Sequence, residues 1–201
     1  MPSHYTSSQT ALLLLDFHTL FVQMASGTKG PAAASVAASM KSWAKAQGIH
    51  IIHGLIDIHS TPDPAVKGAD RLSGMVSHLK QGGGGDEASI LREDSDGEIT
   101  FTRKLGYVSA LKSPGLLEFL EEKRIKSLVL TGLSTSGCVL RTWGAAIDEG
   151  FVVTVLEDGC ADREQAVHDI LAGKVFGSRG WVYTAEGFRE GWEKGDIGKG
   201  E

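Results

Sequence analysis

Cys138 stands where an aliphatic run gives way to a helical pattern, in the stretch LVLTGLSTSGCVLRTWGAAIDEG, 128–150. The small residues Gly132, Ser134, Ser136 and Gly137 permit a tight strand-to-helix turn. This is the layout of a nucleophile elbow, without the Gly-x-Ser-x-Gly motif itself. A helix N-terminus offers partial positive charge and unpaired backbone N–H groups. Both favour a thiolate, so the sequence predicts a lowered pKa and a reactive sulfur at Cys138. The same N–H groups can receive an oxyanion. Buried, inert packing is the commoner fate of a free cysteine, and Cys160, on an apolar strand flank, is read that way.

A nucleophilic sulfur needs a base. Asp16 closes the apolar run ALLLL, so it falls at the tip of a strand. A third run, EITFTR, leads into KLGY and brings Arg103 and Lys104 to a corresponding tip. In an open parallel sheet, sites form at the carboxyl ends of strands. An Asp, a Lys and a Cys at three such ends are expected to face one crevice, with Lys104 as the cation.

The elements that must position these residues alternate. Six aliphatic runs read as strands: 10–16, 48–58, 98–103, 127–132, 151–158 and 180–184. Apolar runs without strict alternation suit strands covered on both faces. Helices are predicted over 31–47, beginning at Pro31 and ending at Gly48, and over 114–124, with Ser113 as N-cap and Pro114 at N1. A third spans 137–149 and ends at Gly150; a fourth spans 163–176, with Asp162 and Gln165 in capping-box spacing. Strand–helix alternation predicts a parallel sheet flanked by helices. Residues 60–97 read as irregular, because four glycines and an acidic cluster lie there; their 80–97 part is a surface loop or a lid. The ends, 1–9 and 195–201, read as frayed tails on one domain spanning 1–201.

With 201 residues, 41% hydrophobic and 22% charged, the chain has the composition of a soluble globular protein. A net charge of -5 and the lack of a basic stretch argue against a nucleic-acid partner. No run is long enough for a membrane span. Two cysteines make no disulfide framework or zinc spacing, and a cytoplasmic location is expected. A nucleotide-binding domain is disfavoured, since no Gly-x-Gly-x-x-Gly or Walker pattern occurs.

Three motifs in order, LLLLDFHTLF, FTRKLGYVSAL and GLSTSGCVLRTWGAA, resemble those of the isochorismatase-like cysteine hydrolases, with similarity from about Ala11 to about Phe188. The resemblance implies a doubly wound, six-stranded parallel sheet with helices on both faces, a Rossmann-like three-layer α/β fold. It implies Asp16, Lys104 and Cys138 as a catalytic triad. It also implies a cis peptide at Leu133–Ser134, with the N–H groups of Ser134 and Cys138 forming the oxyanion hole. His18 stands where the family has Gln or Asn, and His18, Phe21 and Trp143 are the candidates for contacting a small-molecule substrate. The expected chemistry is hydrolysis of an amide-like C–N bond through a thioester. The alternatives are a vinyl-ether hydrolase, which works without the cysteine, and a non-catalytic binding protein. A homo-oligomer, dimer or tetramer, is implied. The family's nicotinamidase branch holds a divalent metal through Asp-x-His and further histidines; Asp57, His59 and His78 are the nearest equivalents, but the hydrophobic run into Asp57 departs from that pattern, so no cofactor is expected.

Overall fold

The strands are β1 (Thr10–Leu15), β2 (His50–Asp57), β3 (Ile99–Lys104), β4 (Ser127–Leu133), β5 (Val152–Ala161) and β6 (Trp181–Tyr183). They come from a computed structural model that describes residues 5–24, 29–81 and 84–195. All pair in parallel in one sheet ordered β3-β2-β1-β4-β5-β6. The order reverses between β1 and β4, and that switch point opens a crevice at the strands' carboxyl ends. The helices are α1 (Thr19–Met24), α2 (Lys29–Ala46), α3 (Ala69–Gln81), α4 (Ser89–Arg92), α5 (Leu116–Glu122), α6 (Leu140–Asp148), α7 (Gln165–Ile170) and α8 (Ala185–Lys194). None among the described residues is long and apolar enough to cross a membrane.

Alternate side chains of a strand leave opposite faces, and the central strands divide the core accordingly. Leu13 and Leu15 join Leu128, Leu130, Val153 and Val155 under α5 and α6. Leu12 and Leu14 join Val129 and Leu156 under α2 and α8. Every residue of β1 and β4 is buried, as continuous apolar runs predict. At Gly132 the strands meet so closely that a Cβ would lie 2.6 Å from both Cβ and O of Leu15.

Several elements depart from the sequence expectation. Residues 60–97 contain a full helix, α3. Its apolar positions Leu72, Met75, Val76 and Leu79 have helical spacing, and the surrounding Gly, Ser and Lys residues obscured it. The segment following it is no detached loop. Thr19 N–H donates to Asp86 O (2.8 Å), Leu20 N–H to Gly84 O (3.1 Å) and Ala88 N–H to Phe17 O (2.8 Å). Gly82 and Gly83 lie outside the described residues. α5 starts two residues later than predicted, after Gly115 at φ 83°. Ser113 is therefore not its N-cap. α7 opens after Glu164 rather than in a capping box on Asp162: Asp162 Oδ2 accepts from Ser136 N–H, and Oδ1 accepts from Glu164 N–H at 3.4 Å rather than from Gln165. The predicted 137–149 helix starts as a π-turn, Thr135–Val139, and becomes α-helical at Leu140. Gly150 ends it at φ 82°, as expected. Of the predicted N-terminal tail, Ser7–Gln9 form a 3-10 turn and Gln9 O accepts from Lys126 N–H at 2.8 Å. Residues 1–4 and 196–201 lie outside the description.

Candidate active site

Asp16 follows β1 directly, and its N–H donates to Gly54 O on β2 at 2.9 Å. Its φ of 54° is left-handed. That conformation is uncommon outside glycine, although Asp is among the residues that tolerate it. It takes the side chain out of the alternation that would otherwise align it with Leu12 and Leu14. The carboxylate is 3% exposed and accepts two hydrogen bonds from one guanidinium. Arg103 Nη1 donates to Oδ1 at 2.8 Å and Nη2 to Oδ2 at 2.5 Å. Arg103 Nε donates to Tyr107 O at 3.0 Å, which ties the segment after β3 to the same pair.

The cation is thus Arg103 and not Lys104. Strand period explains the difference. In β3, Phe101 and Arg103 turn toward the core, while Thr102 and Lys104 are exposed. Register places Ile56, a cavity residue, opposite Arg103, and Asp57 opposite Lys104. Lys104 stands one residue out of phase with the crevice. Arginine also suits the place better. It holds a carboxylate bidentately, and it cannot give up its proton. Burial alone would lower the guanidinium's pKa, but the Asp16 charge, its hydrogen bonds and Cys138 outweigh that and raise it.

Cys138 lies in the π-turn after β4, 2% exposed. The Leu133–Ser134 peptide is cis, as the resemblance implied. The elbow is held from outside. Ser136 N–H donates to Asp162 Oδ2 at 2.7 Å, Thr135 Oγ1 shares a hydrogen bond with His168 Nδ1 at 2.8 Å, and Gly137 N–H donates to Ser134 O at 3.1 Å. The thiol donates to Leu133 O at 3.2 Å. Its pKa runs opposite to the expectation. Burial pushes the Cys138 thiol well above the ordinary range, the Asp16 charge pushes the same way, and Arg103 only partly offsets them. A helix terminus does not compensate a sulfur so fully removed from water beside a carboxylate. Burial and the neighbouring carboxylate thus favour the neutral thiol at Cys138. Burial likewise pushes the buried Cys160 up to about 12.

Asp16, Arg103, Ser134, Gly137 and Cys138 together line a cavity of about 320 Å³. Phe21 lines it too, whereas the other two proposed contacts do not. His18 is 1% exposed and serves the backbone: Nδ1 donates to Gly85 O at 2.6 Å, and Nε2 accepts from Ile56 N–H at 3.1 Å. A ring that donates at one nitrogen and accepts at the other is neutral. Trp143 packs in the core, 5.5 Å from Phe176 between ring centroids, away from the cavity lining. Asp57, His59 and His78 do not assemble as metal ligands. Asp57 Oδ1 accepts from His59 N–H at 2.9 Å in a local turn, and His59 and His78 are exposed. Among the described residues, no group of three or more His, Cys, Asp or Glu could hold a metal ion.

Two residues of the site carry weaker signals in the sequence. Arg103 was visible beside Lys104, and counting in twos along β3 from Phe101 would have selected it. Asp162 follows the fifth aliphatic run, so it too stands at a strand's carboxyl end, although its spacing to Gln165 suggested a helix cap.

Residues 10–187 match the family model of the isochorismatase domain. The fold is shared by a cysteine hydrolase from Pseudomonas syringae pv. phaseolicola, with TM-score 0.80, 15% identity and 95% of each chain covered. It is shared by an isochorismatase family protein from Burkholderia thailandensis, with TM-score 0.74, 18% identity, 92% of this chain and 96% of that one. It is also shared by an N-carbamoylsarcosine amidase from Thermoplasma acidophilum, with TM-score 0.71, 19% identity, 89% of this chain and 97% of that one.

Proposed function

Because the chain belongs to the isochorismatase-like hydrolase family, we propose that it hydrolyses a small amide-like C–N bond through a thioester on Cys138. One observation carries this reading: a buried carboxylate, fixed bidentately by a permanent cation, borders the same cavity as an elbow cysteine. A carboxylate has about four lone-pair sites. Arg103 occupies two, which leaves Asp16 able to take a proton.

In the first half-reaction Asp16 accepts the Sγ proton as sulfur attacks the carbonyl carbon. A thiol with a raised pKa is a stronger nucleophile once ionised, and a base in place removes the need for a standing thiolate. The backbone N–H groups of Ser134 and Cys138 receive the oxyanion. The Asp16 carboxylic acid then protonates the departing nitrogen, the C–N bond breaks and the thioester remains. In the second half-reaction Asp16 takes a proton from water, water adds to the thioester, and the proton returns to sulfur as the acid leaves. Arg103 keeps its proton throughout; it orients Asp16 and balances its charge. Nucleophile, base and water complete this sequence without a metal, so activity is expected to survive exhaustive chelation.

The test is intact-mass trapping across a panel of small amides. An adduct of acyl mass on Cys138, absent from Cys138→Ala, is expected. The burial of the thiol and its hydrogen bond to Leu133 O favour a second reading, a vinyl-ether hydrolase in which Asp16 works without a covalent intermediate. Turnover that survives Cys138→Ala but not Asp16→Asn would establish it in place of the first.

A further inference from the structure

The cavity walls say more about the substrate than the catalytic groups do. α1 contributes Phe21 and Met24, α3 contributes Leu72 and Met75, and the segment after β3 contributes Tyr107 and Val108. Three of these stand well exposed around the mouth: Met24 at 58%, Tyr107 at 54% and Val108 at 44%. Exposed apolar side chains gathered at one opening mark a binding surface more than scattered ones do.

The charges in the cavity are already matched. Arg103 spends both Nη atoms on Asp16 and Nε on Tyr107 O. A carboxylate drawn inside would meet a neutralised guanidinium and the negative Asp16. Burying a charge without a partner is costly. Arg163 is the other cation of the lining, and it is exposed.

Of the two products of amide hydrolysis, the acyl group stays bound through both half-reactions. The amine leaves, and water enters, between them. The walls must therefore fit the acyl group. Resting on the acyl-enzyme reading above, we propose that the substrate is a carboxamide with an uncharged, apolar acyl group, aliphatic or aromatic. The volume is at the small end for ligand sites, which suits a chain of a few carbons or a single ring. Methionine at two wall positions lets the lining adapt to straight or branched groups.

The experiment has two readouts. Specificity constants are measured for acetamide, butanamide, hexanamide and benzamide, and for the monoamide of adipic acid, which places a carboxylate at the end of the hexanamide chain. Affinities for acetamide and hexanamide are measured separately by calorimetry on Cys138→Ala protein, which needs no turnover. The expected result is a rise of up to about fourfold per methylene in both readouts, with the adipic monoamide falling well below hexanamide. Leu72→Glu and Met75→Glu should each lower the hexanamide-to-acetamide ratio. A flat series, or preference for the adipic monoamide, overturns the proposal. If no amide acylates Cys138 but hexanamide still binds more tightly, the acyl-enzyme reading fails and the apolar pocket stands. If acetamide acylates the sulfur and both series are flat, the pocket proposal fails alone; flat binding without acylation overturns both.

Discussion

On one face of β2 and β3, Arg103 holds Asp16 beside the Cys138 thiol. On the other face His53 lies between two carboxylates, with Nδ1 2.7 Å from Glu87 Oε1 and Nε2 2.8 Å from Glu98 Oε2. Lys41 Nζ closes on Glu98 at 3.3 Å and Lys45 Nζ at 3.4 Å. Lys41 also donates to Leu91 O at 2.9 Å and Glu93 O at 2.5 Å. Both clusters are buried, both combine cations with carboxylates, and both border a cavity. They differ in what is left over. In the His53 cluster both ring nitrogens are spent on the two carboxylates and Glu98 also takes both lysines, and the product is a staple joining α2, β2, β3 and the segment before α4. In the crevice a free sulfur remains beside the carboxylate. A cluster of ionisable groups is no sign of chemistry until something reactive is left unspent.

The sharpest separation between the clusters should come from removing what is unspent. Cys138→Ala is expected to abolish turnover, and Asp16→Asn to lower it by about 10²–10⁴. The double variant should be no worse than Cys138→Ala, since groups acting as a unit are not additive. In Glu98→Gln, kcat/KM should stay closer to wild type than in any of these. A steady-state assay of the four proteins checks this, and a larger loss in Glu98→Gln than in Asp16→Asn would erase the distinction.

Next in size is the cation. Arg103→Ala leaves a buried carboxylate uncompensated, a loss of about 3–5 kcal/mol in other proteins. Lys104→Ala, on the exposed face, should lie within about 0.5 kcal/mol of wild type and keep its activity. Denaturant melts of the two variants decide between neighbouring residues. Equal losses would mean that Arg103 is not the sole compensating charge for Asp16.

The staple should respond to pH in a lower range than the crevice thiol does. Burial lowers the His53 pKa, but Glu87 and Glu98 outweigh it and leave it raised above 6.5. A raised folded pKa gives stability that is complete below the unfolded value and is lost as pH rises through the folded one. The wild-type melting temperature should therefore decline as pH climbs above 6.5. Glu87→Gln should flatten that slope and cost about 1–3 kcal/mol at the acid end. Calorimetric melts across the range test both statements; an unchanged slope in Glu87→Gln would detach His53 from its assigned partners.

The smallest effect is the most diagnostic. Iodoacetamide alkylation of Cys138 should titrate above the ordinary thiol value of about 8.5, with Cys160 slower because it does not line the cavity. Asp16 raises the Cys138 pKa and Arg103 lowers it. Asp16→Asn should therefore make the sulfur easier to alkylate while it stops turnover. A nucleophile that becomes more acidic as the enzyme dies is the signature of a lost base, and slower alkylation in Asp16→Asn would contradict it.

The sequence carried much of this molecule in the open. All six strands, the elbow, Asp16 and Cys138 could be read from it, because fully buried parallel strands are long aliphatic runs and their tips are conspicuous when polar. It concealed whatever depends on direction. Arg103 and Lys104 are neighbours in the chain, and only the period of two decides which faces inward. His18 looked like a substrate contact because it stands where the resembling family has Gln or Asn, yet its ring is absorbed by Gly85 and Ile56, partners 67 and 38 residues away. Trp143 lies on the helix that follows the nucleophile, but on its core-packed side. The Cys138 pKa was misjudged for a related reason. The helix terminus is local and legible, while burial and the Asp16 charge come from the assembled fold.

The contact at Gly132 has a consequence for how this protein could change. Asp16 follows Leu15, and Cys138 follows Gly132 by one short turn, so main-chain contact sets how far apart the carboxylate and the sulfur stand. Even alanine at 132 would have to push β1 and β4 apart. The walls that greet the substrate belong to α1, α3 and the segment after β3, none of which takes part in that contact. The chassis and the fittings are separate. Selection, or a protein engineer, could exchange Leu72, Met75 or Val108 for other side chains and retune what is bound, while the machine beneath keeps its tolerances.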